Sequence, residues 1–340
     1  TSHEPYHDRL NVLHTPHTLA EVAEQLSLDL QEAEEMLSRA RKVLQKHRNT
    51  RVRPFRDEKI IVSWNGLMIR SLCHAAQYLG ESRYRDAAVR AAQFIRDGLI
   101  TPHGELLHSW CDGSAALPAV LDDYVFLAEG FLALYETTFA SEWLLDAERL
   151  CNVLIDRFGD PAQGGFFSSD DVNSLLPVRV KSLYDVAEPS PNASAAGLLL
   201  RMFHYTGNTR YRELAQKTLG ILLPLAREVP LAVPSTLKLA REWIDPLPDI
   251  VIMGDPKAQE TTEWLETARR HAGLNSIIAV IGPEELEMLS PRVALFQGKE
   301  CIEGKPTAYV CHRMTCSPPV TDKEMLGVTL KELRSERGIT

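Results

Sequence analysis

Nowhere in the 340 residues do about 18 apolar side chains run together, so nothing in the sequence reads as a membrane span and no membrane partner is expected. Cysteine is sparse, with 6 in all, which excludes a disulfide-stapled scaffold; a chain of this length buries a core without staples. Cys73, Cys111 and Cys151 sit singly in apolar or mixed sequence, as buried free thiols do, and a reducing cytoplasm is the expected location. Clustered positive charge is missing too. The 37 Lys+Arg stand against 46 Asp+Glu, a formal net charge of -9, and the short basic runs are interleaved with acids, so a nucleic-acid footprint is excluded. There is no HExxH and no paired Cys/His ladder at zinc spacing, and neither GxGxxG nor a Walker loop, so neither a metal nor a cofactor is expected. The chain opens on Thr1-Ser2-His3-Glu4 with no basic or apolar leader, and this opening reads as cut from a longer chain.

What is present is helical periodicity. Residues 18–48 are rich in Leu, Ala, Glu and Arg at helical spacing and predict two short helices, with Asp29 as an internal N-cap. From 60 to 80, Trp64, Leu67, Met68, Leu72, Ala75, Ala76 and Leu79 recur every three or four residues up to Gly80, and a second helix follows from about Ser82 to Asp97. The same helix–turn–helix layout returns over roughly 122–158 and 190–226. The joints LGESRYRDAA, TFASEWLLDA and TGNTRYRELA each give a polar cap, then an aromatic (Tyr84, Trp143, Tyr211), then an Ala-rich turn. A repeated αα-hairpin predicts an arc or ring of hairpins. Short rim strands or β-turns are expected over 103–110, 164–171 and 175–184. DIVIMGD (249–255), a helix over 257–272 and NSIIAVIGP (275–283) predict a strand–helix–strand appendage, followed by a cysteine-bearing loop (301–322) and a last short helix. The expected division is therefore 1–245 for the hairpins and 246–340 for the appendage and tail.

Parallel first helices bring their leading loops to one end of the arc. Those loops hold Asp57, Lys59, Trp64, Asn65, Asp122, Asp123, Tyr124, Lys181, Tyr184, Asp185, Glu188 and Asn192. Helix N-termini add partial positive charge there, which suits hydroxyl-rich or anionic ligands. Carboxylates, amides and aromatic faces in one concavity are the requirements of a sugar site, and Asp123 with Asp185, or Asp57 with Glu188, can supply the two carboxyl groups of a glycosidase. The same acids also suit capping: Asp122 or Asp123 ahead of Tyr124, as Ser190 with Pro191 starts a helix. Trp64 fits both an apolar helix stripe and a stacking platform. His103 and His108 flank the first rim hairpin as acid or base candidates, whereas His74 and His204 lie within apolar helices as core residues do. Cys311 and Cys316, five apart with His312 between them, can be structural thiols of the tail or a pair exchanging with a redox partner.

The segments RPFRDEKIIVSWNGLMI, LDDYVFLAEGFLALYE, GGFF, KSLYDVAEPSPNASAAGLLLR and KPTAYVCHRMTCSPPVTD, in this order, closely resemble the C-terminal region of the YyaL and spermatogenesis-associated protein 20 family of thioredoxin domain-containing proteins. The resemblance implies a mainly α fold, a partial (α/α)6 toroid of the six-hairpin glycosidase-like class similar to N-acylglucosamine 2-epimerases, with the small α/β appendage at its C-terminus. It implies a carbohydrate-binding or carbohydrate-processing role with a small carbohydrate-like ligand. Asp123 and Asp185 are then the catalytic carboxylates; Asp57, Trp64, Asn65, Tyr124, Lys181, Tyr184, Glu188 and Asn192 are the binding residues, with Pro189 among the matched positions. It further implies a thioredoxin-like domain in the complete protein, missing here. The alternative it leaves is a non-catalytic scaffold working with that domain, Cys311 and Cys316 taking part in thiol exchange.

Overall fold

A computed structural model describes residues 14–170, 178–273, 275–313 and 315–335. The chain divides into two units, residues 1–57 and 58–340. In the first, α1 (Leu19–Gln25) starts at a capping box in which Thr18 Oγ1 accepts from Glu21 N and Glu21 accepts from Thr18 N at 2.7 Å. Helix α2 (Leu30–Arg48) starts where Asp29 accepts from Gln31 N at 2.9 Å and ends on Lys46, His47 and Arg48, which suit the negative end of its dipole. The two expected helices and the Asp29 cap are therefore found.

The second unit opens with β1 (Ile60–Ile61) and is built on three αα-hairpins: α3 (Val62–Leu79) with α4 (Ser82–Gly98), α5 (Leu121–Thr138) with α6 (Ser141–Phe158), and α7 (Pro191–Thr206) with α8 (Thr209–Glu228). Between the first two lies the hairpin β2 (Leu107–Cys111) and β3 (Ser114–Pro118), turned at Asp112-Gly113, both at positive φ, and β1 pairs antiparallel with β2. Helices α3, α5 and α7 pack side by side, and each outer partner packs behind its own inner helix. This is the hairpin arrangement of an α/α toroid, three hairpins long.

Composition explains the layering. Helix α5 is apolar nearly all round and buries Tyr124 through Ala128 and Gly130 through Tyr135, as a central helix must. Helix α6 is amphipathic and buries only the stripe containing Trp143, Ala147, Leu150, Leu154 and Phe158. Gly80 and Gly207 end α3 and α7 in the left-handed region, at φ 71° and 69°. At the same place in the middle hairpin the residue is Phe139, at φ 59°, and its buried ring packs edge-on to Tyr135.

Helix α9 (Pro234–Ile244) then leads to the appendage: β4 (Asp249–Met253), α10 (Gln259–His271), β5 (Ile277–Ile281), α11 (Pro283–Leu289), β6 (Thr307–His312), β7 (Thr315–Cys316) and α12 (Lys323–Ser335). The sheet order is β5-β4-β6-β7, with β4 and β5 parallel across α10, so the strand–helix–strand expectation holds. Of the two forms expected for the rim segments, residues 164–170 and 178–184 take no strand; they bend, with a bridge between Gly159 and Phe166 and a bond from Ser168 N to Val180 O (2.8 Å), while 171–177 lie outside the described residues. Among the described residues no helix is long and apolar enough to cross a membrane.

The approach of α3 to α5 leaves no room for a side chain at two glycines. A Cβ on Gly66 would fall 2.4 Å from the Phe126 carbonyl carbon and 2.5 Å from its oxygen, and one on Gly130 would fall 2.9 Å from the Gly66 oxygen. Backbone cannot yield there as a side-chain tip can. Gly66→Ala is expected to cost at least about 1–3 kcal/mol, the range of an overpacked core, and Gly80→Ala, where a Cβ meets only open space, to cost less. Urea denaturation of the two variants checks the order.

Candidate functional site

The site assembles where three inner elements begin. Asp123 lies in the first turn of α5, fully buried. Its Oδ1 accepts from Ser63 N, in the first turn of α3, at 3.0 Å; its Oδ2 accepts from Val120 N at 3.0 Å and from the ring of His108, on β2, at 2.8 Å with Nδ1 as the donor. One carboxylate thus caps α3, caps its own helix and orients a histidine. This hydrogen bond is the main reason that the His108 pKa stands above its ordinary 6.5, burial opposing it and the charges of Asp123 and Asp122 adding to it. With Nδ1 committed, the Nε2 edge of His108 makes no hydrogen bond to any described residue, and the ring is half-buried.

Asp122 stands beside this pair, half-buried at the start of the same helix. Burial, then the charges of Asp123 and Glu188, hold its carboxyl above the ordinary aspartate value. Glu188, from the loop before α7, accepts a hydrogen bond from Trp64 Nε1. Trp64 is 57% exposed, so it stands at the rim and is not the core residue that its helical spacing also allowed. Tyr184 is exposed nearby in sequence to Glu188.

The other expected residues sort differently. Asp185 is a double cap: Oδ1 accepts from Ser190 N, at the start of α7, and Oδ2 from Ser235 N, at the start of α9, at 2.7 Å. Asn192 is buried and entirely engaged, its Oδ1 accepting from Phe166 N (2.7 Å) and its Nδ2 donating to the carbonyls of Phe166 and Ser182 (both 3.0 Å). Lys181 donates to Asp160 at 2.7 Å and to the Gly164 carbonyl at 2.6 Å, and that bond leads the causes that hold the Asp160 carboxyl at about 2. Tyr124 is buried, its hydroxyl accepting from Leu106 N and Arg157. Asn65 donates to the Ile61 carbonyl of its own helix start at 2.8 Å. Asp57 is exposed and ends the first unit. Asp185, Asn192 and Lys181 thus fasten the loops that carry the rim. His103 is exposed on the turn before β2, away from the hydrogen bonds just described. His108 was legible as a hairpin acid or base, but its tie to Asp123 was not, because 15 residues and a strand separate them.

Among the thiols, Cys73 and Cys151 are buried and outside any disulfide, and burial pushes the Cys73 pKa up to about 12; Cys111 is half-buried. Cys311 and Cys316 face each other across β6 and β7 and form a disulfide, so they are not the free structural thiols that the tail allowed. Among the described residues no group of three His, Cys, Asp or Glu is placed to hold a metal ion.

Because the folded His108 pKa is raised, the stability from its bond to Asp123 is fully present below the unfolded value and is lost as pH rises through the folded value. The difference in melting temperature between the protein and His108→Gln should therefore be largest below about pH 6.5 and shrink above it. A pH series of thermal melts checks the sign.

No family model matches the chain. It is 29% identical over 322 residues to spermatogenesis-associated protein 20 of Homo sapiens and 28% identical over 322 residues to that of Mus musculus, with 92% of this chain and 41% of each relative covered. An uncharacterized protein of Caenorhabditis elegans is 29% identical over 320 residues, with 91% of this chain and 43% of that protein covered. The chain thus spans about two fifths of the length of the curated relatives it matches. Among solved structures it is similar to cellobiose 2-epimerase from Spirochaeta thermophila (20% identity, TM-score 0.40, 48% of this chain and 43% of that one). It is similar also to the GH76 α-mannanase BT2949 of Bacteroides thetaiotaomicron (17% identity, TM-score 0.41, 48% and 44%). Over most of its length the chain is thus similar, at 28–29% identity, to spermatogenesis-associated protein 20.

Proposed function

We propose that the rim at the start of α3, α5 and β2 is an acid–base site for a carbohydrate-like ligand. The observation that carries this reading is the His108–Asp123 pair: a buried carboxylate, itself held by two main-chain N–H groups, fixes the imidazole by Nδ1 and leaves Nε2 without a bond to any described residue. An imidazole so held takes a proton on Nε2 from a ligand hydroxyl or carbon while Asp123 stabilises the imidazolium, and returns it in the next step. Asp123 is then a positioning residue. Asp122, its carboxyl biased toward the protonated form, is the second acid–base group in place of Asp185, whose two oxygens are occupied by the starts of α7 and α9. Trp64 offers its exposed face for stacking on a sugar ring and Glu188 an acceptor for its hydroxyls.

The test is a thermal-shift screen with neutral, N-acylamino and uronic sugars, followed by proton NMR of any stabilising sugar with the protein in deuterium oxide. A saturable rise in melting temperature, with either deuterium entering the sugar or new reducing ends forming, is expected. His108→Gln should then lower the rate by about 10²–10⁴, the usual contribution of one acid–base group, while Trp64→Ala mainly raises KM. A cooperatively melting protein that no sugar stabilises would sink the proposal.

The Cys311–Cys316 disulfide favours a second reading alongside it: exchange with the dithiol of the thioredoxin-like domain that the family resemblance implies for the complete protein. The incoming thiolate would attack Sγ of Cys316, which is exposed where Cys311 is buried, and release the Cys311 thiolate. With the other accessible thiols blocked beforehand, a reduced thioredoxin-type protein added to the chain should yield two new alkylatable thiols on it, and no new ones in Cys311→Ser/Cys316→Ser.

A further inference from the structure

Deeper between the inner helices and the appendage lies a second polar cavity, of ≈ 60 Å³ open to water-sized molecules, several times the roughly 10–15 Å³ that one water needs. Four cations line it, Arg70, Arg201, Lys238 and Arg269, against three carboxylates, Glu129, Glu136 and Glu242. Three of the cations are matched. Arg70 pairs with Glu129 at 3.0 Å and Lys238 with Glu242 at 3.4 Å, while Arg201 pairs with Glu136 at 2.6 Å and also donates to the Asn275 carbonyl at 2.7 Å. Glu136 is further engaged by the Tyr205 hydroxyl at 2.9 Å.

The fourth cation, Arg269 on α10, has no carboxylate within ion-pair distance among the described residues and donates only to the Glu136 main-chain carbonyl, at 3.2 Å. Burial holds its pKa down at about 10, which is the mark of a guanidinium short of compensating charge. Ser276, also on the cavity wall, is 8% exposed, and its hydroxyl finds no hydrogen-bond partner among the described residues. An orphaned buried hydroxyl beside an unmatched, half-buried cation is a costly arrangement for a protein to keep empty-handed. His74, taken from the sequence as a core histidine, lines the same cavity; burial and then the charges of Arg70, Arg201 and Lys238 press its pKa down to about 4, so it meets a ligand as a neutral imidazole with a proton to donate.

We infer that this cavity binds the carboxylate or phosphate group of a small organic anion, with the Arg269 guanidinium as its counter-charge and the Ser276 hydroxyl as a donor. A neutral sugar would leave Arg269 uncompensated, and a cation would meet a wall that is already net positive. The inference does not depend on the rim site, since none of these residues takes part in it.

Titration calorimetry at constant ionic strength, with inorganic phosphate and sodium glucuronate as the probes and sodium chloride as the control, tests it. Saturable binding of one of the two anions near one per chain is expected, and which one binds identifies the group. Arg269→Gln should weaken that binding about tenfold or more, as removal of a charged hydrogen-bonding partner does. Ser276→Ala should weaken it severalfold without lowering the melting temperature, because its hydroxyl bonds no described residue; this variant decides the matter if Arg269→Gln fails to fold. His108→Gln should bind the anion as the unaltered protein does. No saturable binding of either anion to the folded protein, or equal binding by Ser276→Ala and the unaltered protein, overturns the inference.

Discussion

Asp123 is the point on which the second unit turns. A carboxylate taken out of water must recover its solvation from the protein, and this one does so with Ser63 N, Val120 N and the His108 ring, three donors on three different elements. Satisfying it therefore sets the start of α3 against the start of α5 and brings β2 across both. Gly66 completes the constraint from the other side, since the missing side chain lets the α3 backbone come to rest on Phe126 and Leu127. Hydrogen bonding determines which ends meet, and the absence of a Cβ determines how closely.

The rim and the deeper cavity follow from the same architecture by different physics. At the rim, capping demand and site chemistry draw on one set of residue types: aspartate, asparagine and serine satisfy helix N-termini, and the same groups recognise hydroxyls. Asp185 and Asn192 are spent on main-chain groups, whereas Asp122, Glu188 and the far edge of His108 are left with chemistry to offer. In the cavity the governing quantity is charge balance in a poorly solvated space. Arg201, Glu136, Tyr205 and Asn275 form a network whose members all have partners, and what distinguishes Arg269 and Ser276 is standing just outside it.

Periodicity alone made the hairpins legible, because burial of one helical face repeats every three or four residues wherever the helix packs. The Asp29 cap, the Gly80 and Gly207 stops and the strand–helix–strand appendage were legible for related reasons: each is a local demand that one residue type or one short run meets. At 164–170 and 178–184 the sequence left strand and turn open, and the choice fell to non-strand segments because side chains such as Arg179, Lys181 and Asn192 bind their main chain in place of a ladder. Rim convergence was also foreseeable, since parallel first helices must start at one end.

The sequence by itself determined the helical class, the hairpin repeat and the set of polar residues delivered to the rim, all consequences of local propensity and of spacing along one chain. Only the tertiary structure decided which of those residues serve as caps and which face outward, that Trp64 is exposed, that Cys311 and Cys316 join, and that Arg70, His74, Arg201 and Arg269 share one cavity. Except for the disulfide, whose cysteines are five apart, these outcomes depend on partners far along the chain, and a carboxylate's role is fixed by the donors that reach it through space.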